Sequence, residues 1–160
     1  MANEIEILVV DDDYAAARSF ADLIYTKLKI ATSACSVVDE VLSIIRTGTV
    51  KVVVLDEVMP KMNGTELFRL IQKTNPHIKA LFLTGEAEVS DIIKATKLNY
   101  TDYLQKSKIS ELPSKVIVAY TQYEIELAQQ CGNDVKLSIW NPIKNCFGLF
   151  KYYVSSVELV

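Results

Sequence analysis

Val-Val-Val-Leu-Asp-Glu-Val-Met-Pro-Lys-Met-Asn-Gly, residues 52–64, decides the fold. An apolar, mostly β-branched run ends abruptly in one carboxylate, Asp56, and a proline-containing loop follows. Such a run suits a strand covered on both faces, as in a parallel sheet. In open parallel sheets, chemistry sits just past the carboxyl ends of the strands. Asp56 stands at that end. Pro60 fixes φ and removes a donor, so 57–63 reads as a shaped loop. Asn63-Gly64 is a turn signal before a helix over 65–73, which Asn75-Pro76 ends.

Working back from Asp56, residues 50–55 form the third strand. Residues 5–10 are the first, and it ends in Asp11-Asp12-Asp13. Each like-charge pair there costs on the order of 4 kcal/mol at ~4 Å and an effective dielectric of ~20, before solvent relaxes. An acidic N-cap accounts for one of the three, Asp13 being the best placed. A divalent-cation site accounts for the set, and the residues alone leave both readings open. The helix over 14–28 places Ala17, Phe20, Ala21, Ile24 and Leu28 on one face. Residues 29–34 read as a second strand. Ser36 caps a helix with apolar positions at Val37, Val38, Val41, Leu42 and Ile45, and Gly48 stops it. Cys35, at the join, reads as a small buried residue.

Working forward, 79–83 is the fourth strand and Thr84-Gly85 follows it. His77, the one histidine, reads as a solvated loop side chain. A helix is expected over 88–97, with Asn99 as its left-handed C-cap. A brief fifth strand over 102–105 ends in Lys106. Ser110 then caps a long helix with Leu112, Val116, Ala119, Tyr120, Tyr123 and Leu127 on one stripe, closed by Gly132-Asn133. Five strands alternating with helices imply a doubly wound parallel sheet of the flavodoxin-like (βα)5 kind, strand order 2-1-3-4-5. Right-handed crossovers put every strand end on one edge. Strands one and three are then neighbours, so Asp11, Asp12 and Asp56 meet, with Thr84 and Lys106 beside them. Mg2+ suits such a sparse oxygen site. The set suits an incoming phosphoryl group, with Asp56 as nucleophile.

Here the chain resembles the receiver domain of two-component response regulators. The matching motifs are Leu8-Val9-Val10-Asp11-Asp12, the run from Leu55 to Gly64, Leu83-Thr84-Gly85, and Asp102-Tyr103-Leu104-Gln105-Lys106. The resemblance implies a phosphoacceptor, Asp56, served by a sensor histidine kinase or a histidine phosphotransfer protein in a phosphorelay. It implies Mg2+ held by Asp12, Asp56 and the carbonyl of Val58, with Asp11 acting mainly through water. Lys106 would pair with phosphoryl oxygens, Thr84 would hydrogen-bond them, and Thr84 and Tyr103 would switch together. The face of the fourth helix, fifth strand and fifth helix is the family's usual partner or dimer surface. Val58 and Glu86 match the positions that tune dephosphorylation, and Val58 cannot hydrogen-bond an attacking water. Slow self-dephosphorylation is the expectation. Two departures stand out. Ser107 replaces a proline, so a differently shaped or more mobile loop is expected there. Tyr100-Thr101 replaces a Gly-Ala pair.

The chain has 160 residues, which suits a receiver over 4–131 and a short extension over 132–160. Its formal charge is -3 and its pI about 5.2, which count against a DNA-binding surface. Cys35, Cys131 and Cys146 are odd in number and widely spaced, as reduced cytoplasmic thiols would be. The N-terminus lacks the basic and apolar regions of a signal peptide. No uncharged apolar run approaches the ~18 residues of a membrane span. The extension is aromatic, with Trp140, Phe147, Phe150, Tyr152 and Tyr153, and is broken at Asn141-Pro142. Ile143, Phe147, Phe150 and Val154 can share one helical stripe. It reads as packed on its own domain, as a dimer or partner-docking segment, or as a remnant of an output module. Lys136, Lys144 and Lys151 make only a thin basic face, so membrane binding is not expected.

The expected function is therefore a phosphorylation-driven switch acting on a downstream protein partner, not a turnover enzyme on an external substrate. The alternative is a phosphorylation-independent, receiver-like interaction module acting through the extension. A flavodoxin or a haloacid-dehalogenase-type phosphatase fits less well. The first needs a hydroxyl-rich phosphate loop after strand one, and the second an apolar spacer between its aspartates followed by Gly-Thr.

Overall fold

A computed structural model describes residues 4–85 and 102–130. The strands β1 (Ile7–Val10), β2 (Thr32–Cys35), β3 (Val52–Asp56), β4 (Lys79–Thr84) and β5 (Asp102–Gln105) form one parallel sheet in the order 2-1-3-4-5. The helices are α1 (Tyr14–Leu28), α2 (Val38–Ile45), α3 (Gly64–Thr74) and α4 (Leu112–Gln130), the fourth among the described residues. This is the doubly wound flavodoxin-like arrangement. The helix expected over 88–97, Asn99, Gly132-Asn133 and the extension over 132–160 lie outside the described residues.

The side-chain alternation of each strand builds two cores. Ile7, Val9, Val52, Val54, Leu81 and Leu83 pack on α1 and α4. Leu8, Val10, Val53, Leu55, Ala80 and Phe82 pack on α2 and α3. A strand covered on both faces has no polar side to show, which is why β3 reads as an unbroken apolar run. Phe68 of α3 meets Phe82 edge to face, ring centroids 5.9 Å apart, and both are fully buried.

Local chemistry corrects four expectations. Lys29 does not open β2. It ends α1 in the left-handed region at φ 59°, its N–H donating to the Tyr25 carbonyl at 2.8 Å, so the strand starts at Thr32. Ser36 does not cap α2, whose N-cap is Val37 with no side-chain hydrogen bond. Val37 therefore sits on no buried stripe and is 47% exposed. Ser110 does not cap α4 either. Residues Lys106–Glu111 wind into a 3-10 turn that runs directly into α4, with Pro113 in the first helical turn, where a missing N–H costs nothing. Leu127 is exposed rather than part of the α4 stripe. His77 is half-buried, and Cys35 is buried, as a small core residue should be.

Candidate functional site

The site lies at the carboxyl edge of the sheet, and its parts arrive by strand register. Val10 pairs with Leu55 across β1 and β3, so Asp11 and Asp56 leave the sheet side by side. Asp56 pairs with Leu83, which puts Thr84 one step beyond. Thr84 pairs with Gln105, which delivers Lys106. Asp11 and Asp56 are buried and Asp12 is exposed. One carboxylate oxygen from each of the three lies within 4.8 Å of the others. Asp13 leaves this group. Its Oδ1 accepts from the N–H groups of Ala15 (2.9 Å) and Ala16 (3.3 Å), capping α1. Its own N–H donates to Asp11 Oδ1 at 3.0 Å, which orients that carboxylate.

Lys106 holds the two buried acids together. Its Nζ lies 3.1 Å from Asp11 Oδ2 and 3.0 Å from Asp56 Oδ1. Burial raises the Asp56 carboxyl above its ordinary pKa, and Asp11 adds to the rise. Lys106 and a backbone hydrogen bond from Val58 only partly offset it. Burial works against the Lys106 ammonium, but its bonds to Asp56 and Asp11 win and raise it. Thr84 Oγ1 is fully buried with no hydrogen-bond partner among the described residues. Such a hydroxyl is costly unless something fills its bond. Tyr103, half-buried, packs against the α2–α3 core cluster. Val58 is 56% exposed at the mouth.

These groups amount to three carboxylates, one ammonium and one buried hydroxyl without a partner among the described residues, all at one edge of the sheet. Residues 7–117 match the family model of the response regulator receiver domain. The chain belongs to the response regulator receiver family. The receiver of Francisella response regulator 1452 is 30% identical, with a TM-score of 0.60, covering 74% of this chain and 98% of that one. A receiver domain protein from Clostridium thermocellum gives 27% identity and a TM-score of 0.69, covering 76% and 98%. Response regulator MprA of Mycobacterium sp. (strain KMS) is 32% identical over 103 residues, which is 64% of this chain and 44% of that protein. The chain thus spans less than half the length of this curated relative. A 41-residue stretch is 51% identical to part of the sensor kinase CckA of Brucella abortus.

Asp11, Asp12, Asp56, Val58, Thr84 and Lys106 fall at this one edge, Tyr103 lies within β5 opposite Phe82, and Glu86 and Tyr100-Thr101 lie outside the described residues. Two residues escaped the sequence reading. Glu57 is buried, and its carboxylate takes the Thr65 N–H (3.1 Å) and hydroxyl (2.9 and 3.0 Å) instead of joining the acidic cluster. Gly64 lies so close to Asp56 that a Cβ would stand 2.5 Å from the Asp56 carbonyl oxygen. Asn63-Gly64 carried part of this signal as a turn. The turn is in fact a capping box, with Asn63 Oδ1 accepting the Glu66 N–H and Glu66 reaching back to Asn63.

Proposed function

We propose that this receiver accepts a phosphoryl group on Asp56 from a phosphohistidine, carried by a sensor histidine kinase or a phosphotransfer protein. It then signals to protein partners by changing shape. The observation that carries the reading is Lys106 bridging Asp11 and Asp56 beside the Thr84 hydroxyl, which has no partner among the described residues. An Asp56 oxygen attacks phosphorus, the phosphorus–nitrogen bond breaks, and the electron pair returns to the donor imidazole. Lys106 is placed to neutralise charge on the transferred group, and Thr84 to donate to one of its oxygens. The donors of Asp11, Asp12, Asp56 and the Val58 carbonyl are hard oxygens and fit Mg2+. When bound, Mg2+ would supply further positive charge for the phosphoryl oxygens. Tyr103 follows Thr84 as the second switch residue. A cytoplasmic setting fits the free thiol of Cys35, and a homodimer is one form the output can take.

Self-dephosphorylation is slow, because the Val58 side chain offers no polar atom to align water. The reading is tested with acetyl phosphate and Mg2+. Expected is one phosphoryl group per chain, lost when Mg2+ is chelated and strongly reduced in Lys106→Met. Labelling that ignores both changes, or a phosphoryl half-life of seconds, contradicts it.

A further inference from the structure

Glu57 stands next to the acceptor in sequence, and its geometry ties the loop to the helix that follows. Its N–H donates to the Leu83 carbonyl at 3.0 Å, extending the β3–β4 ladder by one residue. Its own carbonyl accepts the Gly64 N–H at 3.2 Å. Its carboxylate, only 8% exposed in the residue as a whole, spans both donors of Thr65. Main chain and side chain of one residue therefore close the loop 57–64 onto the start of α3. The N-terminal N–H groups of α3 favour the buried negative charge there. Gly64, without a Cβ, lets the closed loop rest on the Asp56 carbonyl.

Val58 is the first residue inside this closed loop. Its carbonyl is the one main-chain donor in the proposed cation set. That carbonyl depends on the peptide planes on either side of Val58, which the closed loop sets. We infer that the Glu57–Thr65 pair is a clasp that positions Val58 for the cation site. Glu57 is thus a positioning residue and not a fourth carboxylate ligand. The inference rests on the reading of Asp11, Asp12 and Asp56 as a cation site and deepens it. Partners that orient a metal's ligands from behind commonly change affinity when they are lost, even though they never touch the ion.

The test is calorimetric titration of the full chain with Mg2+, run beside urea unfolding in chelator. Thr65→Val keeps shape and the main-chain bond but removes the hydroxyl. Glu57→Gln keeps shape but removes the charge. Thr65→Ser restores the hydroxyl. Expected is a Kd for Mg2+ raised on the order of 10-fold in Thr65→Val and Glu57→Gln, with Thr65→Ser close to wild type. Should Glu57→Gln fail to fold, the Thr65 pair still decides. Unchanged Mg2+ affinity in Thr65→Val, with only its urea midpoint lowered, would mean a purely structural pair and overturn the clasp. A wild-type chain that binds no Mg2+ overturns the clasp together with the cation site. Wild type that binds Mg2+ but takes no phosphoryl group overturns the acceptor reading alone and leaves the clasp standing on its own titration.

Discussion

Lys106 Nζ sits 3.0 Å from Asp56 Oδ1 while also reaching Asp11, so one ammonium answers two buried carboxylates. Removing it leaves the acids facing each other. Lys106→Met should therefore lower stability in chelator by about 1–2 kcal/mol, a figure reduced because the lysine is partly open to solvent. Added Mg2+ should recover part of that loss by replacing the missing charge. Urea midpoints with and without Mg2+ measure both. A variant as stable as wild type in chelator would show that the acids do not depend on Lys106.

The raised Asp56 carboxyl has a definite sign for stability. Folding favours its protonated form, so its contribution is favourable below the ordinary carboxylate pKa of about 3.9 and is lost as pH rises through the folded value. At neutral pH the charged group is a net cost of the site, set by burial first. Asp56→Asn should raise the urea midpoint at pH 7 in chelator, and the gap should narrow as pH falls toward the carboxylate range. An equal or lower midpoint at pH 7 would contradict this.

A second ion network pins α4 to the opposite edge of the sheet. Lys51 Nζ lies 2.6 Å from both Glu6 and Glu124, and the Tyr120 hydroxyl donates to Glu6 at 2.6 Å. Burial works against the Lys51 ammonium, but bonds from Glu124, Glu6 and Tyr120 raise its pKa overall. Its stabilisation is full below the unfolded lysine value of about 10.4 and is lost as pH rises through the folded one. Wild type should lose stability in the alkaline range above about pH 10 more steeply than Lys51→Met does. Urea unfolding across pH 8–11 checks this, and parallel curves would refute it.

The Phe68–Phe82 contact holds α3 to the sheet under the acceptor strand. Phe68→Ala should cost about 3–5 kcal/mol, since a fully buried ring leaves a cavity the sheet cannot close. Equilibrium urea unfolding reads the loss directly, and a cost below about 1 kcal/mol would mean that the core relaxes around the gap.

Much of the arrangement was legible because it depends on period and strand ends. The apolar runs of β1, β3 and β4 needed no partner to be read, and the polar residue that closes each run is Asp11, Asp56 or Thr84. What escaped depended on backbone conformation or tertiary reach. Lys29 takes a left-handed cap that lysine does not advertise. Val37 and Leu112 begin helices without a side-chain cap, so the serines nearby pointed to the wrong starts. Glu57 read only as the first residue of a loop. Only a partner eight residues on, Thr65, shows where its carboxylate goes. Asp13 shows the converse, since the cap reading was available from sequence and the geometry chose it.

The central claim is that Asp56 takes the phosphoryl group, and intact-mass spectrometry tests it most directly. Wild type and Asp56→Asn are incubated side by side with Mg2+ and acetyl phosphate. The account predicts a single phosphoryl adduct on wild type and none on the variant. An adduct of equal yield on both proteins would place the acceptor elsewhere and contradict it.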